Sequence, residues 1–176
     1  MYHLFNLPPQ HIAAVERATE ALSAQFPQHI PGKQDGWLLL TRSNRPIVVW
    51  DLREKIAADT AEQEAKRLEL AQALAAAGLA VTVPSDAYMV FFAEIPTSPS
   101  PRYTVVNDDD SVLGSLFGSP YLVMDTWTNV HVATTRTSEE ATQRCADFTR
   151  AQDALDTEVA SGNLPAGSYA EPDTSA

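Results

Sequence analysis

The run WLLLTRSNRPIVVWDL, residues 37–52, decides the fold class. It holds two apolar, β-favouring segments, 37–42 and 47–52, on either side of a turn at residues 43–46 that contains Ser, Asn and Pro. Strands joined by so short a link run antiparallel, because a parallel pair needs a crossover of a dozen or more residues. A hairpin therefore opens the β part of the chain.

Helical patterns flank this hairpin on both sides. Upstream, Ile12, Val15, Thr19, Leu22 and Phe26 recur at spacings of three and four, with Pro8 and Pro9 before them and Pro27 after. Downstream, DTAEQEAKRLELAQALAAAGL begins with Asp59 and Glu62 at capping-box spacing and stops at Gly78. Its expected buried stripe is Ala61, Ala65, Leu68, Ala71, Leu74 and Ala75, with Glu62, Glu64, Lys66, Arg67 and Glu69 elsewhere. From Leu79 the chain turns β-like through LAVTV and AYMVFFAEI. After the proline-rich PTSPSP, the segments RYTVV, SVLGSLFG, PYLVMDT and NVHVATT suggest up to four more short strands. A last helix is signalled by Thr137 and Glu140 at capping-box spacing, with Ala141, Cys145, Phe148, Leu155 and Val159 on one face.

This order is that of an α+β fold, a mostly antiparallel sheet with three main helices packed on it. A single domain is expected over residues 1–160, followed by a disordered acidic tail over 161–176. The chain of 176 residues, 44% hydrophobic, is long enough for one real core. Cys145 is its only cysteine, which excludes an intramolecular disulfide and fits a cytoplasmic protein. The opening residues MYHLFNLPPQH lack the regions of a secretory signal, and no segment has the apolar length of a membrane span, so no membrane association is expected.

The formal net charge of −11 argues against direct nucleic-acid binding, which depends on Lys and Arg neutralising phosphates. The charge is unevenly placed: residues 1–107 carry eleven acids and nine bases, residues 108–176 twelve acids and three bases. Such a segment suits contact with a basic protein partner.

Within it, VVNDDDSVLG places Asp108, Asp109 and Asp110 in succession. Counted as a calcium loop from Asp108, the fifth position is Val112 and the sixth Leu113, where an acid and a glycine are required. Turn chemistry between two strands accounts for the three aspartates without a ligand. As a site they read first as a protein contact, together with Glu139, Asp147 and Asp156 on the last helix. A metal-dependent hydrolase or phosphate-handling enzyme would instead use Asp108, Asp110, Asp125 and His131, with carboxylates holding a divalent cation and the histidine as base.

Other chemistries find little support. Ser115 and Ser119 do not fit a nucleophile elbow, there is no phosphate-binding glycine loop, and the four histidines form no helical zinc motif. Arg42 and Arg45 in the hairpin loop are the one basic spot, suited to a phosphate or carboxylate. No catalytic residue, metal or cofactor is assigned. The leading expectation is a non-enzymatic acidic interaction protein, of the inhibitor, immunity or anti-defence type, that binds a basic nucleic-acid-handling protein. A small structural subunit of a larger, virion-like assembly is the third reading, motivated by apolar residues on both faces of the strands around Phe91 and Leu122.

Overall fold

The computed structural model describes residues 7–31, 33–51, 60–84, 89–98, 100–107 and 121–164. Within them the chain runs α1 (Ile12–Gln25), β1 (Gly36–Arg42), β2 (Arg45–Asp51), α2 (Thr60–Ala76), β3 (Leu79–Thr82), β4 (Met89–Glu94), β5 (Tyr103–Asn107), β6 (Tyr121–Asp125), β7 (Val130–Thr135) and α3 (Ser138–Ala160). The fold is α+β, and every ladder between these strands is antiparallel. The strands divide between two sheets, in orders β1-β2-β4-β3 and β5-β6-β7. The division falls at the PTSPSP connection, where three prolines without N–H donors interrupt any ladder.

The hairpin turn is tighter than its composition suggested. Arg42 pairs with Arg45, leaving Ser43 and Asn44 as a two-residue loop with φ of 51° and 61°. Positive φ at both positions is the primed turn whose twist matches that of the flanking strands. Pro46 then lies inside β2, opposite Thr41. It is tolerated because the β2–β4 ladder begins only at Ile47, so no bond is asked of the missing N–H.

Helices α1 and α2 cover one face of the first sheet. Ala14, Ala18 and Leu22 of α1 and Leu70 and Leu74 of α2 enclose Trp37, Leu39, Val48, Val90 and Phe92. The α1 face is built on Ala14, Val15, Ala18 and Leu22, whereas Ile12 is 50% exposed. Alanines do here what the larger residue was expected to do, because they let the helix approach closely. The stripe of α2 is also rotated from its expected position: Leu70, Ala71, Ala73 and Leu74 are buried, Ala65 is exposed, and Arg67 is only 4% exposed. Arg67 tolerates burial because its Nη1 donates to the Pro84 carbonyl at 2.9 Å and its Nη2 pairs with Glu64. Gly78, at φ 76°, closes the helix in the left-handed conformation.

Helix α3 packs on the second sheet through Ala141 and Phe148 against Tyr103 and Val123, with Cys145 half-buried beside them. Thr137 caps it by accepting from the Glu140 N–H at 3.2 Å. Ile47, Phe91 and Val130 form a third cluster, so the second face of the first sheet is met by β7. A register shift makes this geometry fit: Met124 pairs with His131 but Val123 with Ala133, leaving Val132 as an extra residue. One inserted residue flips the side-chain alternation. Val130 and Ala133 thereby share a face despite their odd separation.

Candidate functional site

The tight hairpin sets two arginines side by side. Directly paired residues of an antiparallel ladder project from the same face, so Arg42 and Arg45 stand together at the sheet edge. Like charges placed directly opposite destabilise a sheet by roughly 0.2–1 kcal/mol. Across from them His131 of β7 is held near the surface by the burial of its neighbour Val130. These side chains, with Ser43, Pro84 and Phe91, line an open cavity of about 260 Å³. Arg42 Nη1 lies 3.1 Å from the Met89 sulfur. Burial lowers the pKa of Arg45. His11 is lowered too, first by its own burial and then by the Arg45 charge. Arg42, Arg45 and His131 are thus brought together from separate strands, and no acid is among the described residues of the wall.

A second polar cluster has a different character. Asp125 is fully buried, at 0% exposure. Its Oδ2 accepts from Thr82 Oγ1 at 2.7 Å and from Arg102 Nε and Nη2 at 3.0 and 2.9 Å. Its Oδ1 accepts from the N–H groups of Trp127 at 3.0 Å and Thr128 at 3.4 Å, the side-chain-to-backbone pattern that shapes an Asp-led turn. Arg102 also donates to the Val81 carbonyl and to Gln152 Oε1, and its guanidinium lies 5.1 Å from the Trp127 ring centre. The cluster fastens β3 of one sheet to β6 of the other, to Arg102 just before β5, and to α3. Both carboxylate oxygens of Asp125 and the guanidinium of Arg102 are engaged within the chain, which is the arrangement of a structural tie.

The other anticipated residues fall as follows. Asp108, Asp109 and Asp110 lie outside the described residues. Glu139, Asp147 and Asp156 all belong to α3. Asp147 receives Arg150 at 3.1 Å and Gln143 at 3.0 Å, and Asp156 receives Gln152 at 2.8 Å. Nine residues separate Asp147 from Asp156, which puts them on opposite sides of the helix at about 100° per residue. They do not form one cluster. Of the four residues considered for a metal, two lie outside the described residues, and both oxygens of Asp125 already hold internal donors. Among the described residues no three His, Cys, Asp or Glu side chains gather as a metal would require.

Sequence reasoning missed Arg102, Thr82, Thr128 and Pro84, and it marked Phe91 only as part of an apolar strand face. The turn DTWTN after β6 carried a signal for Asp125, since an aspartate leading a turn commonly bonds backbone N–H groups two and three residues on. Nothing local pointed to Arg102 or Thr82, which lie 23 and 43 residues from Asp125. Cys145 carries no reactive signature, because its burial raises the thiol pKa and so keeps it protonated. No described helix is long and apolar enough to cross a membrane. Comparison with protein families, curated proteins and solved structures gives no match, so a functional reading rests on the chemistry of the chain itself.

Proposed function

We propose that this chain is a non-enzymatic interaction protein whose acidic helix α3 engages a basic surface of a partner protein. The observation that carries the reading is the charge of the outward side of α3. The helix bears six acids against two arginines, and Glu139, Glu140, Asp153, Asp156 and Glu158 are all exposed. Asp153, Asp156 and Glu158 occupy its last two turns, where the macrodipole disfavours anions near the end by a few tenths of a kcal/mol. Helix stability alone does not select that placement. A surface of one sign speeds encounter with a complementary partner and makes it sensitive to salt. A basic nucleic-acid-handling protein met in the cytoplasm is the partner class this chemistry fits, with the chain acting as its inhibitor or immunity-type binder.

The test compares the wild type with a variant carrying Glu139→Gln, Asp153→Asn, Asp156→Asn and Glu158→Gln as baits in native extract. A basic protein retained by the wild type at low salt, released at high salt and not retained by the variant is the expected result. Circular dichroism should show that the variant keeps its helix content. Retention that ignores both salt and the substitutions, or no specific partner for the wild type, would sink the reading.

A further inference from the structure

The cavity between the β1–β2 turn and β7 sits at odds with the chemistry of the molecule around it. The protein has a net charge of −11, yet the described wall of this cavity presents Arg42, Arg45 and His131 and no acid. Arg17, Lys66, Arg67, Arg102 and Arg150 each reach a carboxylate. Among the described residues Arg42 reaches only the Met89 sulfur and Arg45 reaches no acceptor. The two arginines are also directly paired across the ladder, where like charges are unfavourable and an anion between them would offset the repulsion.

We propose that this cavity is a binding site for a small phosphate monoester, whose phosphoryl group is held by Arg42, Arg45 and His131. The inference does not depend on the reading of α3. A carboxylate offers two oxygens and is satisfied by a single bidentate guanidinium, whereas two forks and an imidazole call for the three terminal oxygens and higher charge of a phosphoryl group. Phe91 and Pro84 supply an apolar wall for the organic remainder. A volume of about 260 Å³ lies just below the usual range of ligand pockets, which begins at about 300 Å³, so the ligand is a compact monoester rather than a dinucleotide.

The experiment follows the backbone amides of Ser43, Asn44 and His131 by heteronuclear NMR on the full chain. Phenyl phosphate, inorganic phosphate, benzoate and sodium chloride are titrated at matched ionic strength. Phenyl phosphate should bind saturably and most tightly. Arg45→Gln should weaken it roughly ten- to hundredfold, the loss of a charge-assisted bidentate contact. His131→Gln should weaken it less, and Arg136→Gln, at an exposed arginine elsewhere, should leave it unchanged. Removing one of two like charges should not lower the melting temperature of the free protein, so Arg45→Gln remains interpretable, and His131→Gln tests the same site independently. The proposal is overturned by shifts that sodium chloride reproduces, by Arg45→Gln binding phenyl phosphate as the wild type does, or by benzoate binding as tightly. Inorganic phosphate binding as tightly as phenyl phosphate would assign the site to the free ion and overturn the monoester.

Discussion

Tyr103 shows how one side chain records the surroundings the fold gives it. Its ring packs 5.5 Å from that of Phe148, and Arg102 lies over its other side at 5.4 Å. Burial pushes its phenol up to about 12; the Arg102 charge acts against that shift, while Asp125 and Asp156 add to it. The folded protein therefore keeps this proton where the unfolded chain, at its ordinary value of 10.0, has released it. The stabilisation is whole below about pH 10 and is lost as pH rises towards about 12, on the order of 3 kcal/mol. Chemical denaturation across that range should show wild-type stability falling more steeply than that of Tyr103→Phe, and parallel curves would refute the assignment. The strand RYTVV that carries Tyr103 was legible in the sequence. The charged neighbours of that tyrosine were not, since Arg102 was read as part of a strand and Asp156 as part of an outward acidic surface.

At the scale of elements, the helices and the hairpin followed from local rules, while the loop packing between them did not. Capping of α3 by Thr137 and the stop at Gly78 are settled within a few residues, so spacing alone exposed them. The stripe of α2 is set by what lies across from it, and a carbonyl supplied by Pro84 is what admits Arg67 to the interior. Gly36 is a similar case. The segment after α1 folds back along β1, with Trp37 N–H donating to the Pro27 carbonyl at 3.1 Å and His29 N–H to the Trp37 carbonyl at 3.0 Å. A Cβ on Gly36 would run into the Pro27 carbonyl oxygen and lie 2.6 Å from the His29 nitrogen. Backbone cannot yield as a side chain does, so Gly36→Ala should cost about 1–3 kcal/mol in urea denaturation. An unchanged midpoint would show that this crossing is looser than described.

At the scale of the molecule, an apolar contact and a polar tie among the described residues join the two sheets. Val130 seats against Ile47 and Phe91, and Asp125 joins Thr82 to Arg102. Removing one partner of a buried ion pair strands the other, at about 3–5 kcal/mol. Asp125→Ala should lose stability of that order. If the tie couples the two sheets, the variant should also unfold in two transitions rather than one. Calorimetry with tryptophan fluorescence tests this, and a single transition in the variant would show that Val130 and its neighbours suffice. The charge pattern is likewise global: acids are spread along α3, and the basic cavity opens where the hairpin turn meets β7.

The sequence by itself determined the α+β class, the three helices, the antiparallel hairpin and the polarity of charge along the chain. Each of these rests on periodicity, caps, turn residues or composition, which act over a few residues or need no geometry at all. It also marked Arg42, Arg45 and His131 individually, by residue type. Only the tertiary structure decided that the three share a cavity, that Asp125 is engaged by Arg102 and Thr82, and that the strands form two sheets. Those outcomes depend on contacts between residues far apart in the chain. Such contacts form once burial selects a register and a packing face, and that selection leaves no mark in local spacing.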